Sequence, residues 1–189
     1  MITCMIEFLE TRASIRLALL LVMIIVPITA LVYPLINEEL VRISGYPRLD
    51  DLFYFTPRML FERVEAYGDS GRTIYLASIA AVDFVFPILY SLLIGFLLTL
   101  VLRTGMPANH PLHRMQLFPA GMLVFNYLHN IFLSAILLQY PSRPEVLAWL
   151  TTGSATLKWC FGAFSALALL VGVAGMLYTS FKPNRSNGA

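Results

Sequence analysis

Four apolar runs, at residues 17–36, 73–102, 115–140 and 146–181, dominate this 189-residue chain and leave it few ways to fold. A hydrocarbon core of about 30 Å is crossed by about 20 helical residues, and each run reaches that length. A transmembrane β-barrel needs alternation over strands of about ten residues, which these runs lack. The chain therefore reads as all-α: one domain, a polytopic membrane four-helix bundle. Its composition agrees, because 58% of residues are hydrophobic, 13% are charged and the mean hydropathy is +0.74, far from the balance of a soluble domain.

Arg12 and Arg16 precede the first run as they would in a secretory signal. The run exceeds the roughly 7 to 15 apolar residues of a signal core, and residues 28–34 offer no small-x-small cleavage site, so it reads as a retained helix. Cys4 falls in the amino-terminal tail and Cys160 inside the fourth run, a placement that supports neither a disulfide nor a metal site. No Gly-x-Ser-x-Gly elbow, Walker loop or His-Glu-x-x-His helix is present, and no cofactor is expected. The basic residues form no stripe, so no nucleic-acid partner is expected.

Charge placement orients the chain. With the amino terminus inside, cytoplasmic segments carry Arg12, Arg16, Arg103, Arg114, Lys182 and Arg185. The opposite side carries Arg42, Arg48, Arg58, Arg63, Arg72 and Arg143, most of them in one long loop with seven acids. The positive-inside rule counts residues near helix ends. Arg103, Arg114 and Lys182 abut apolar runs directly, so both termini are expected in the cytoplasm.

The outer loop, residues 37–72, has the pattern of an ordered segment. Thr56 and Pro57 form a helix start, since threonine caps free N–H groups and proline fits the first turn. Met59, Leu60, Phe61, Val64 and Tyr67 then lie mostly on one face, with Arg58, Glu62, Arg63 and Glu65 largely on the other, until Gly68 stops the helix. This extracytoplasmic amphipathic helix, 57–67, reads as an interfacial anchor or as a lid over the bundle. Glu62, Arg63, Glu65 and Arg72 read as solvated, and Asp69 or Ser70 as a cap for the second span. In the linker 104–114, His110 and His113 lack a third ligand and read as a solvated loop. Pro141 to Pro144 form a tight turn that makes spans three and four antiparallel neighbours. The absence of an internal repeat argues against a transporter.

Ionisable groups within spans are costly and are function candidates by default. Asp83, Pro87 and Tyr90 share one face of the second span, Asn126, His129 and Asn130 one face of the third, and Thr151, Ser154 and Lys158 one face of the fourth, with Trp159 beside it. Asp83 is twenty residues from Arg103, or about 30 Å, and Lys158 twenty-four from Lys182, or about 36 Å. Both therefore sit towards the outer boundary, with the third-span face somewhat deeper. Two readings stand side by side. In one, an Asp83–Lys158 ion pair pins spans two and four, with Asn126 and Asn130 as interhelical partners. In the other, the cluster is a pocket for a small lipid-like or amphipathic ligand. There Asp83 and His129 are the proton-exchanging, catalytic candidates, and Tyr90, Asn126, Asn130, Lys158 and Trp159 the ligand-binding ones. Binding protein, isomerase-type enzyme and accessory subunit of a membrane complex all remain open, with membrane lipids or another membrane protein as partners.

The stretch 56–90, with Gly71-Arg72, Asp83, Pro87 and Tyr90, together with Lys158-Trp159, resembles a family of uncharacterised bacterial four-helix membrane proteins. The resemblance implies this fold and a bacterial inner membrane, and it brings no activity with it. Members often carry Asp-x-x-Glu-Asn in span three, where this chain has Asn126, His129 and Asn130, so acid chemistry is not carried over. Gly68-Asp69-Ser70, Arg72 and Tyr75 are similar, more weakly, to the EXPERA-type sterol isomerases, which implies a polar pocket open to lipid.

Overall fold

The computed structural model describes residues 2–107 and 110–181. Lys182 and Arg185, used above to orient the chain, lie outside the described residues. Within them the chain is helical and has no strand. Of six helices, four are long and apolar enough to span a membrane.

Helix α1, Ile2–Arg12, occupies what the sequence reads as a tail. Its Leu9 packs against Phe96, and this is the contact that orders it. Helix α2, Ile15–Ser44, starts where Ser14 Oγ accepts from Leu17 N at 3.4 Å. It runs eight residues past the expected end at residue 36, because the first left-handed stop is Gly45, with φ 78°. The extension is polar and carries an exposed Glu39–Arg42 pair. Between Pro27 and Pro34 the helix widens into a π turn, Ile28–Val32, in which Tyr33 N donates to Ile28 O, a re-pairing next to prolines that have no N–H to give.

Helix α3, Pro57–Ala66, has the expected Thr56 cap, its Oγ accepting from Met59 N. Its apolar face is turned into the protein: Leu60 and Val64 join one buried cluster with Leu49, Phe55, Leu133, Ile136 and Ala148. Helix α4, Gly68–Gly105, begins five residues before the expected start. Gly68, at φ 60°, turns α3 directly into α4, so neither Asp69 nor Ser70 serves as a cap; Asp69 instead pairs with Arg72. Helix α5, Pro111–Gln139, opens with a 3-10 turn and ends one residue short of the expected limit. Helix α6 is Glu145–Phe181.

Helices α4, α5 and α6 form the packed body, and α2 lies against α4 at its edge with only Ala18 and Leu40 buried. Towards the far end from α3, α4 and α6 approach until Gly105 faces Gly172 and Gly175 with no room for a side chain. At the α3 end the segment joining α2 to α3 folds inward. Leu49 and Phe55 are completely buried, and burial of Leu49 carries its neighbours Arg48 and Asp50 inward while Asp51, Phe53 and Tyr54 stay exposed.

Candidate functional site

Asp83 owes its position to a broken helix. In α4 a π turn, Ile79–Asp83, is followed by an irregular step before Pro87. Proline cannot donate to the carbonyl four residues earlier, so Asp83 O loses its helical partner. Asn130 Nδ2 of α5 reaches it at 3.4 Å, and Tyr127 Oη donates to Phe84 O at 2.5 Å. A kink in a span persists where a neighbouring helix supplies the missing bonds. Asn130 thus braces α4 from behind.

The partners of Asp83 come from α2 and the inward segment. Tyr33 Oη donates to Asp83 Oδ1 at 2.6 Å, and Arg48 Nη2 donates to Asp83 Oδ2. Arg48 is 2% exposed; its guanidinium lies 4.8 Å from the Tyr33 ring centroid and 5.4 Å from that of Tyr75, a cation–π arrangement on two rings. Asn37, near the end of α2, holds the segment in place by accepting from Arg48 N at 3.1 Å and donating to Asp51 Oδ2 at 2.8 Å.

Asp50 is the hub. Its Oδ2 receives Arg48 Nη2 at 3.0 Å and Tyr75 Oη at 2.8 Å. Its Oδ1 faces Lys158 Nζ at 3.2 Å and His129 Nε2 at 3.0 Å. Burial alone would favour the neutral acid, but Lys158, His129 and Arg48 together outweigh it and hold the Asp50 carboxyl well below the usual carboxylate range. Burial likewise works against the Arg48 guanidinium, and Asp50, Tyr75 and Asp83 more than offset it. The expected Asp83–Lys158 pair does not form: Asp83 pairs with Arg48, and Lys158 with Asp50. The inward segment carries a closer partner for each.

Tyr33, Arg48, Asp50 and Asp83 line a cavity of about 430 Å³. Asp83, Tyr90, Asn126, Lys158 and Trp159, from three different spans, all face it. His129 and Asn130 do not. His129 is fully buried behind Asp50, with Nδ1 donating to Thr151 O at 3.2 Å. The lining also includes apolar residues: Phe86 packs between Tyr33 and Tyr90, and Ile25, Ile94 and Met122 lie one or two turns further from the α3 end than Tyr33, Tyr90 and Asn126 on the same helices. Because α2 closes one flank, the cavity lies between a loosely packed span and the bundle.

The other charged candidates are placed elsewhere. Arg72, expected in solvent, is buried against the Tyr140 ring, 3.8 Å from its centroid, and donates to Val64 O at 3.2 Å. Arg63 lies over Tyr46; Glu65 pairs with Arg143 at 2.6 Å, and Glu62 with Arg58 at 2.8 Å. His110 Nδ1 accepts from Leu112 N, and His113 Nε2 meets Pro107 O, so both histidines tie up the 3-10 turn. Reading along the chain missed Arg48, Asp50, Tyr33 and Tyr75. One signal was present: a solvated loop has no use for Leu49, Leu52, Phe53 and Phe55 around Arg48 and Asp50.

Comparison with known protein families, curated proteins and solved structures gave no match, so function rests on this geometry.

Proposed function

We propose that this chain binds a small lipid-like or amphipathic ligand in the cavity between α2 and the bundle. The observation that carries this reading is the mixed lining: an ion network towards the α3 end, and Ile25, Ile94 and Met122 one or two helical turns further along the same helices. A site of this size with an apolar lining and a few convergent polar groups suits a small amphiphile. The loosely packed α2 provides a lateral path from lipid.

Binding is favoured over isomerase chemistry by the state of the acids. Asp83 faces the cavity with both oxygens engaged, by Tyr33 and Arg48. Asp50 has four neighbours. Neither is free as a general base, and His129 does not reach the cavity.

The test is to fill the apolar part without touching a charge. Met122→Trp should retain the wild-type thermal midpoint in mild detergent yet lose a lipid species that co-purifies with the wild type, read by mass spectrometry. An unchanged lipid complement in the folded variant would refute the reading.

In this reading both termini face the cytoplasm of a bacterial inner membrane, and the cavity lies in the outer leaflet. Support comes from Arg103 in the last turn of α4 and Arg114 in the first turns of α5. Cys4 is exposed. In a Cys160→Ser background, an impermeant maleimide should label it only after spheroplasts are opened; labelling of intact spheroplasts would reverse the orientation.

A further inference from the structure

What the cavity lacks is as informative as what it contains. The carboxylates of Asp50 and Asp83 are occupied by partners within the protein. Asp51 is exposed and held by Asn37. The donors facing the cavity are not used up. Lys158 has three N–H bonds to give, and Asp50 is its one acceptor among the described residues. The Asn126 carboxamide and the Tyr90 hydroxyl make no hydrogen bond to any described residue, although Asn126 is only 7% exposed. Leaving such groups unpaired in a membrane interior is costly, which an occupant with matching acceptors would relieve.

From this surplus of donors we infer that the amphiphile carries an oxyanion head, a carboxylate or a phosphate, held by Lys158, Asn126 and Tyr90. The inference rests on the binding function proposed above and adds the chemistry of the head. Charge-assisted hydrogen bonds to an oxyanion are roughly twice as strong as neutral ones. Met122 and Ile94 lie one helical turn from Asn126 and Tyr90, away from the α3 end, so the head and tail of one molecule meet their complements together.

Trp159 lies at the cavity and supplies a reporter. Trp149, the other tryptophan, is not part of the cavity, so a Trp149→Phe background isolates the signal. The full chain in nanodiscs is titrated with dodecanoate, dodecyl phosphate, dodecanol, dodecylamine and inorganic phosphate, following Trp159 fluorescence. Dodecanoate or dodecyl phosphate should bind about tenfold or more tighter than dodecanol. Asn126→Leu and Tyr90→Phe should each narrow that margin.

Dodecanol or dodecylamine binding saturably and as tightly as the acids would overturn the oxyanion head and leave the amphiphile pocket standing. Inorganic phosphate binding as tightly as dodecyl phosphate would keep the oxyanion site and remove the amphiphile. No saturable response to any probe would overturn both.

Discussion

Arg48→Met will cost the folded bundle about 3–5 kcal/mol, the largest single-residue loss expected in this chain. Among the described residues Arg48 is the one cation shared by Asp83 and Asp50, and it is nearly inaccessible. Removing it leaves Asp83 with only the Tyr33 hydroxyl and strips Asp50 of one of its cations. Breaking a buried pair from one side is worse than never having built it, because the remaining charge keeps its desolvation penalty. The double replacement Arg48→Met with Asp83→Leu should recover part of the loss, since Asp50 keeps Lys158 at 3.2 Å. Unfolding titrations in mixed detergent micelles measure both. Arg58→Met, which removes an exposed pair with Glu62, should change nothing measurable. An Arg48→Met variant as stable as Arg58→Met would mean that the ion network does not hold the inward segment in place.

The second large effect lies at the opposite end. Gly105→Ala should destabilise by about 1–3 kcal/mol, the range of overpacking in a tight core. A Cβ at Gly105 would lie 2.7 Å from Gly172 O and 2.7 Å from Met176 N. Both are backbone atoms of α6, so relief requires the two helices to move apart. Small residues that let helix backbones approach are the usual basis of such contacts in membranes. Gly153→Ala provides the contrast, because nothing lies within 4 Å of a Cβ there; in a helix interior that change is worth up to about 1 kcal/mol of stabilisation. Equal thermal midpoints for the two variants would contradict the close approach.

Much of the fold was legible because the signals are local. A span announces itself by length and apolarity over one stretch of chain, and α3 by a threonine cap followed by helical periodicity. The ends were less legible, since α2 continues to Gly45 and α4 starts at Gly68, where only glycine geometry marks the limits. The candidate site was legible in part. Helical spacing placed Asp83 with Tyr90, and it grouped Asn126, His129 and Asn130 on one face of α5. That same face splits in three dimensions: Asn126 meets the cavity, His129 meets Asp50, and Asn130 braces the kink above Pro87. Spacing within a helix says which residues share a side, and only the neighbours decide what each one touches.

The sequence by itself determined that this chain is a helical bundle able to span a membrane, and that polar groups on three spans lie at similar heights. Both follow from local quantities, apolar length and rise per residue. Only the tertiary structure decided how the charges pair. Arg48 reaches Asp83 across 35 residues and Lys158 reaches Asp50 across 108, because burial of Leu49 carries its neighbours Arg48 and Asp50 into the bundle. A charged segment carried inward by its apolar neighbours reads as a solvated loop until the core it enters is known, so the Asp83–Lys158 pair that the spans alone proposed gave way to the nearer Arg48 and Asp50.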